Sequence, residues 1–217
     1  MRVLVTGSEG TVASGIKQHL DGDSPHEFVY LDREDAPDVD FVADISDYDD
    51  IRPAFDGVDA VVHLAANPAV SAPWESVEQD NLIGTRNVLE AASDAEVERF
   101  LFASSIHAAG MWEEEGKPEV YELDDDTNVT VDDDERPDSY YGVSKAYGED
   151  MGRFYIEQRE YPERFYAARI ASVRGGLYDN PYGDAEKGVE AGEWERGSPE
   201  YTEQVKRLKG TWLSLRD

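Results

Sequence analysis

The stretch "VLVTGSEGTVASGI", residues 3–16, decides the fold. It begins as a short apolar run, typical of a buried parallel strand, and continues beyond Gly7 at helical spacing. Gly7 and Gly10 allow a sharp turn and a close approach of the backbone to a pyrophosphate, next to the free N–H groups of a helix N-terminus. The position between a strand and a helix, more than the Gly-x-x-Gly spacing, predicts a dinucleotide-binding turn. A plain strand-to-helix turn is the alternative.

The same alternation of strand and helix continues along the chain. Further strands are predicted at residues 28–31, 41–44, 60–65, 99–104 and 165–171, and further helices at 48–56, 75–93 and 139–160. This alternation predicts an α/β fold, a Rossmann-type doubly wound parallel sheet with helices on both faces.

We divide the chain into a nucleotide-binding domain that carries the catalytic residues, 1–175, and a small, incomplete substrate region, 176–217. Residues 112–138 are acidic and are interpreted as a surface loop. Residues 178–200 are punctuated by Gly and Pro and are interpreted as a loop over the site. The final residues, "TWLSLRD", resemble the opening of a helix, which suggests that a tail is missing.

The composition limits the possible partners. Of 217 residues, 49 are Asp or Glu and 20 are Lys or Arg, so the formal net charge is −29. Because 40% of the residues are hydrophobic and fall in periodic runs, we expect a folded core with the acids on its surface. This profile resembles the cytoplasmic proteins of halophilic archaea; an acidic mesophilic protein is the alternative. So negative a surface repels nucleic-acid phosphates, and we expect no such partner.

The sequence also predicts the compartment. It has no apolar run long enough to span a bilayer, and its first residues, "MRVLVTG", lack the layout of a signal peptide, so we expect a cytoplasmic protein without membrane contact. The absence of Cys excludes disulfides and thiolate metal sites. With four scattered His, we expect no metal.

An acidic residue at the end of the second strand bears on the choice of nucleotide. Asp32 is placed to accept a hydrogen bond from the adenosine ribose and to repel a 2′-phosphate, which favours NAD over NADP. Arg33 weakens this preference for NAD, because a guanidinium can accommodate a 2′-phosphate. Asp44, at the end of the next predicted strand, is placed to reach the adenine.

The candidate catalytic residues are a tyrosine and a lysine four residues apart. Tyr141 and Lys145 lie on one face of the predicted helix 139–160, and Ser105 follows the strand at 99–104. An ammonium next to a phenol lowers the phenol's pKa, so Tyr141 is a candidate base for the oxidation of an alcohol. With twelve Tyr in the chain, the spacing alone is not decisive; the dinucleotide turn and Ser105 support it.

Together, the turn at Gly7, Asp32, Leu64-Ala65-Ala66, Asn81, Ser105 and Tyr141-x-x-x-Lys145 resemble the extended short-chain dehydrogenase/reductase family, also called the NAD-dependent epimerase/dehydratase family. Within it, "FASSIHAAG" and "RPDSYYGVSKAYGE" look most like uronate dehydrogenases and haloarchaeal NAD-dependent glucose-6-phosphate dehydrogenases. The resemblance implies four catalytic residues, Ser105, Tyr141, Lys145 and Asn81. It implies NAD contacts from Gly7, Gly10, Thr11, Val12, Asp32, Arg33, Asp44, Ile45, Leu64, Ala65, Ala66, Asn81, Tyr141, Lys145 and Ile170. It implies substrate contacts from Ser105, Ile106, His107 and Ser172.

Two departures from the uronate enzymes concern the substrate. Ile106 stands where they carry Asn, and their substrate-binding Arg has no secure counterpart. We therefore predict an NAD-dependent sugar dehydrogenase that oxidises a sugar hydroxyl, in the first instance C1 of a uronate or sugar phosphate, to the lactone.

Two other functions stay open: a nucleotide-sugar epimerase or dehydratase, and a catalytically impaired NAD-binding paralogue. By analogy with relatives, we expect a homodimer in which helices 75–93 and 139–160 pair across a two-fold axis.

Overall fold

The computed structural model describes residues 1–122 and 124–217; Leu123, in the predicted loop 112–138, lies outside the described residues. Six parallel strands form the main sheet in the order β3-β2-β1-β4-β5-β6. They are β1 (Arg2–Thr6), β2 (Glu27–Asp32), β3 (Phe41–Val42), β4 (Ala60–His63), β5 (Arg99–Ser105) and β6 (Arg164–Ile170). This order is that of the doubly wound dinucleotide fold, and it confirms the predicted fold class.

Helices cover both faces of this sheet. They are α1 (Thr11–His19), α2 (Tyr48–Ile51), α3 (Trp74–Ser76), α4 (Gly84–Asp94), α5 (Met111–Gly116), α6 (Tyr140–Gln158), α7 (Gly183–Ala191) and α8 (Pro199–Thr211). Alternate residues of a strand point to opposite faces. Leu4 belongs to an apolar cluster with side chains of α4 and α6, whereas its neighbours Val3 and Val5 belong to a second cluster with Ala13 of α1. The core therefore has two layers, one on each side of β1.

The helix predicted at 75–93 is longer and less regular than expected. α3 and α4 are joined by a π-helical stretch, Val77–Ile83, and the backbone stays helical at both junctions. π-helical turns inside α-helices are uncommon and often mark functional sites. The helix predicted at 48–56 is also different, because only Tyr48–Ile51 is α-helical and a 3₁₀ turn, Arg52–Phe55, follows it.

The prediction of a loop at 178–200 is wrong. Residues 183–191 form α7, which packs on α8 and buries Ala185 and Gly188. The prediction of a terminal helix is also wrong: Trp212–Leu213 is a strand, β8, parallel to β7 (Ser172–Val173). Glycine and acidic residues conceal α7 from a reading of hydrophobic period, and a two-residue strand has no period at all. Among the described residues no helix is long and apolar enough to cross a membrane.

His63 is a buried polar link within the core. Its Nδ1 lies 2.7 Å from the Thr6 hydroxyl and its Nε2 lies 3.2 Å from the Thr85 hydroxyl, so it joins β1, β4 and α4. The side chain is 1% exposed. Burial, with a smaller contribution from the charge of Lys145, lowers the pKa of His63 to about 3. It is therefore a hydrogen-bonded residue of the core.

We expect this histidine to destabilise the protein in mild acid. Below its ordinary pKa of 6.5 the unfolded chain binds a proton that the folded chain does not, so stability falls as the pH falls. The loss from this group is about 2 kcal/mol between pH 7 and pH 5. Urea denaturation at constant ionic strength will measure it, and His63→Asn, which retains an acceptor for Thr6, should lose that part of the pH dependence. Equal pH dependence in both proteins would refute the assignment.

Candidate active site

A cleft of about 850 Å³ lies at the carboxyl ends of the central strands. Open parallel sheets bind ligands at this edge, where the strand order reverses. With the exception of Asn81, every site residue predicted from the sequence lines this cleft: Gly7, Gly10, Thr11, Val12, Asp32, Arg33, Asp44, Ile45, Leu64, Ala65, Ala66, Ser105, Ile106, His107, Tyr141, Lys145, Ile170 and Ser172. The fold therefore gathers residues that are spread over most of the chain.

The turn after β1 has the geometry that a pyrophosphate needs. Gly7 has a φ of 73°, and a Cβ there would lie 2.6 Å from the backbone of Ala65, so only glycine fits. Gly10 is the N-cap residue of α1 and has no side chain that competes for the first N–H groups of the helix. The Glu9 carboxylate, an unfavourable neighbour for phosphate, lies 2.6 Å from the Lys17 ammonium, which neutralises it. The turn fits a dinucleotide.

Asp32 is held rigidly at the end of β2. Its Oδ2 accepts a hydrogen bond of 2.9 Å from the Glu9 N–H, and its Oδ1 accepts one of 3.1 Å from the Glu34 N–H. The Arg33 side chain is 66% exposed and lies 3.9 Å from the Asp80 carboxylate across the cleft. The carboxylate, and not the guanidinium, therefore has a fixed position in this part of the site.

Tyr141, Lys145 and Ser105 come together as predicted. The Ser105 hydroxyl lies next to the Tyr141 phenol, close enough to lower its pKa. The Lys145 ammonium is 5.4 Å from the centre of the Tyr141 ring and donates a 2.8 Å hydrogen bond to the Ala103 carbonyl of β5. β5 thus supplies the serine, and α6 supplies the tyrosine and the lysine.

The expectation that the Lys145 ammonium lowers the pKa of the Tyr141 phenol needs correction. Burial raises the pKa of the Tyr141 phenol, and the hydrogen bond with Ser105 only partly opposes it. Burial also lowers the pKa of Lys145 to about 8. The lysine is removed from water together with the phenol, so its charge alone does not bring the phenol into the neutral range.

Asn81 lies behind the cleft instead of in it. Its side chain is 2% exposed and sits in the π-helical stretch. It binds Asn67 twice, through an Asn67 N–H to Asn81 Oδ1 bond of 2.7 Å and an Asn81 Nδ2 to Asn67 carbonyl bond of 3.1 Å. It also donates to the Ser144 hydroxyl at 3.0 Å, and Ser144 donates to the Tyr141 carbonyl at 2.7 Å. Asn81 therefore positions the helix turn that carries Tyr141.

Beyond the phenol, the cleft wall contains His107 and Ser172. His107 Nδ1 lies 2.6 Å from the Asp138 carboxylate, and the ring meets the Tyr141 ring edge to face. The Ser172 hydroxyl is 3.2 Å from the Thr211 hydroxyl at the end of α8. These two polar side chains and Ile106 face the space in front of the phenol, where a substrate would bind.

Two arginines of this wall were missed by the sequence analysis. Arg174 follows β7 and Arg207 lies in α8, and both line the cleft. The sequence offers no signal for Arg174. Arg207 lies between the loop interpreted at 178–200 and the final stretch "TWLSLRD", where no element was predicted, so its position relative to the cleft was not predictable. Among the described residues, no group of three His, Asp or Glu could hold a metal ion.

The fold and this side-chain set define a dinucleotide-binding α/β protein with a Ser–Tyr–Lys site. The profile of the NAD dependent epimerase/dehydratase family matches residues 3–187. The chain belongs to this family. The resemblance on which the sequence analysis relied is thereby confirmed.

Two relatives from Haloferax volcanii are sugar dehydrogenases. An NAD-dependent glucose-6-phosphate dehydrogenase is 41% identical over 169 residues, which is 73% of this chain and 64% of the relative. An L-arabinose 1-dehydrogenase (NAD(P)(+)) is 41% identical over 160 residues, 72% of this chain and 62% of the relative. The chain therefore spans less than two thirds of the length of either enzyme.

A solved structure has the same architecture. The glucuronic acid dehydrogenase from Chromohalobacter salexigens is 29% identical, with a TM-score of 0.67 over 87% of this chain and 70% of that one. These relatives act on sugars of different charge: a sugar phosphate, an unsubstituted aldose and a uronic acid.

We expect the Lys145 ammonium of the free protein to lose its proton with a midpoint near pH 8, because burial disfavours its charge. NMR of lysine labelled with ¹³C at Cε will measure this, and Lys145→Met will identify the signal. Lys17 is an internal control: burial acts downward on its pKa, but hydrogen bonds with Glu9 and Asp38 outweigh burial and raise it. A Lys145 midpoint at or above the ordinary 10.5 would contradict the assignment.

Proposed function

We propose that this protein is an NAD-dependent sugar dehydrogenase that oxidises the C1 hydroxyl of a cyclic aldose to the lactone. The observation that carries the proposal is the meeting of the Tyr141 phenol, the Ser105 hydroxyl and the Lys145 ammonium in one cleft with the Gly7 turn. The cyclic sugar loses a hydride from C1 and a proton from the C1 hydroxyl, and the C1–O bond of that hydroxyl becomes the C=O bond of the lactone. NAD takes the hydride when it is bound, so the products are lactone, NADH and one proton.

The chain's own residues would handle the proton. The Ser105 hydroxyl, which lies next to the phenol, would hold the substrate oxygen beside it. The phenolate of Tyr141 would accept the proton at its Oη. Because Lys145 alone does not lower the pKa of Tyr141 enough, we propose that the positive nicotinamide ring completes the shift, with Lys145 adding its charge below about pH 8.

The cleft fits NAD better than NADP. The rigid Asp32 carboxylate is placed for the two hydroxyls of an adenosine ribose, and it would repel a 2′-phosphate. Gly7 and the start of α1 would hold the pyrophosphate, while Asp44, Ile45 and the 64–66 stretch line the path on either side.

We also propose that the protein forms a homodimer through α4 and α6. These helices pack together, and α6 leaves apolar side chains in solvent: Val143 is 40% exposed and Phe154 is 50% exposed. Such side chains on a long helix suit a self-complementary contact. Light scattering coupled to size-exclusion chromatography will give the mass; a monomer at micromolar concentration would refute this part of the proposal.

Replacing Tyr141 by Phe should lower kcat by roughly 10²–10⁴-fold, the usual contribution of a general base. NAD should still bind, since the phenol's hydroxyl is not needed for the turn at Gly7 to hold the pyrophosphate. Absorbance of NADH with a panel of sugars, and calorimetry with NAD, will give the two quantities. Tyr140→Phe, next in the chain and 55% exposed, is the matched control and should behave as wild type.

The result also separates the alternatives. Sugar interconversion without net NADH would indicate an epimerase, and NAD binding without any turnover would indicate a nucleotide-binding paralogue. Near-wild-type turnover by Tyr141→Phe would refute the role of the phenol.

Replacing Asp32 by Asn should weaken NAD binding by about tenfold, because a charge-assisted hydrogen bond to the ribose is lost. The affinity for NADP should rise relative to NAD, since the repelling charge is gone. Calorimetric titration with each nucleotide will measure both. Asp38→Asn, in the next loop and paired with Lys17, is the control. An unchanged ratio of the two affinities in Asp32→Asn would contradict the prediction.

A further inference from the structure

The two arginines on the substrate side of the cleft are both held by carboxylates. Arg174 donates from Nε to Asp184 Oδ1 at 2.5 Å and from Nη2 to Oδ2 at 2.7 Å. Arg207 donates from Nε to Glu113 Oε1 at 2.6 Å, with a longer bond of 3.4 Å from Nη2 to Oε2. Arg174 and Arg207 are among the residues that line the cleft, whereas Asp184 and Glu113 are not. Each pair uses the Nε–Nη2 edge of the guanidinium, one of the two edges with which an arginine can bind a carboxylate or phosphate, and Arg174 Nη1 also donates to the Val173 carbonyl at 3.1 Å.

The Glu113 pair is shielded from water and permanently charged. The side chains of Glu113 and Arg207 are 18% and 23% exposed. The Tyr121 hydroxyl donates to Glu113 at 2.6 Å. Burial acts to raise the pKa of Glu113, but the hydrogen bonds from Arg207 and Tyr121 outweigh it and lower the pKa below its ordinary value. The carboxylate therefore stays ionised at neutral pH and keeps Arg207 compensated.

The two other side chains near the phenol that could meet an anion already have hydrogen-bond partners. His107 faces the Asp138 carboxylate. The Lys145 ammonium is bonded to the Ala103 carbonyl and is committed to the reacting oxygen. A phosphate or carboxylate on the sugar would lose its hydration here and meet, behind each guanidinium, a carboxylate of its own sign. The net charge of −29 adds a repulsive field around the cleft.

We infer that this site takes a neutral, unphosphorylated cyclic aldose, and that Glu113 and Asp184 determine this choice by neutralising Arg207 and Arg174. The inference rests on the proposed function and adds the substrate class to it. The inferred substrate, a neutral aldose, differs from the uronate or sugar phosphate that the sequence favoured. The sequence alone did not locate either arginine or the carboxylate that pairs with it. The remaining guanidinium N–H groups act as fixed donors to ring hydroxyls, which bind without bringing a charge.

The test compares neutral and anionic sugars on the whole chain. NADH formation is measured with glucose and arabinose against glucose 6-phosphate and glucuronate. Calorimetry of the same sugars with NAD-loaded protein measures selectivity independently of turnover. We expect wild type to favour the neutral sugars by about tenfold or more in both readouts, the scale of one uncompensated charge near a ligand.

The variant Glu113→Gln keeps the shape and one acceptor but removes the charge. It should raise the anionic-to-neutral ratio by about tenfold, and adding Arg207→Met should cancel that gain. Asp184→Asn should also raise the anionic-to-neutral ratio, and it tests the inference independently if Glu113→Gln is poorly folded. Glu122→Gln is the matched control, because it removes the neighbouring Lys206–Glu122 pair of α8, which lies outside the cleft, and it should leave the ratio unchanged.

The experiment can refute the selectivity for neutral sugars and the dehydrogenase activity separately. Preference of wild type for anionic sugars, with no change in Glu113→Gln, would overturn the inference while leaving the dehydrogenase proposal in place. Binding of neutral sugars without NADH formation would refute the dehydrogenase proposal and still support the selectivity.

Discussion

The close contact between α6 and the sheet is the constraint on which the site depends. A Cβ at Gly148 would lie 2.2 Å from the Phe102 ring, and one at Gly152 would lie 2.0 Å from the Phe165 ring. With no side chains at these two positions, the helix approaches β5 and β6 until Lys145 reaches the Ala103 carbonyl. Tyr141, one turn nearer the N-terminus, then lies beside Ser105. The distance between Tyr141 and Ser105 is therefore set by packing that begins two turns away from the tyrosine.

A second contact fixes the direction of that helix. Ser139 caps its N-terminus by accepting a hydrogen bond from the Gly142 N–H, and Asn81 binds the next turn through Ser144. A regular α-helix through 77–83 would change the direction of the side chains along it, so the π-helical stretch gives Asn81 its access to both Asn67 and Ser144. Asn81 acts on the site through backbone position, and this explains why it is buried instead of facing the cleft.

The parallel α/β sheet, the Gly7 turn and the grouping of Ser105, Tyr141 and Lys145 could be predicted, because each has a local pattern: alternating apolar runs, a glycine spacing or a four-residue helical interval. The pKa of Tyr141 could not, because it depends on how far the lysine is buried with it. The π-helical stretch and α7 were missed since the first has no hydrophobic period of its own and the second is rich in Gly and acids. Arg174 and Arg207 owe their positions to tertiary contacts.

The excess of acidic residues is reflected in the pairing of Arg174 and Arg207 with carboxylates. With 49 Asp and Glu against 20 Lys and Arg, an acidic residue is available to pair with many of the cations. On the surface such pairs contribute little, because water and salt screen them. At the edge of the cleft the Glu113–Arg207 pair is shielded from water, whereas the Arg174 side chain of the other pair is 37% exposed, so the pairing with Glu113 is the stronger of the two. A composition rich in acids thus also bears on the charge of the cleft, and under the proposed substrate class Glu113 and Asp184 would influence selectivity without touching the sugar.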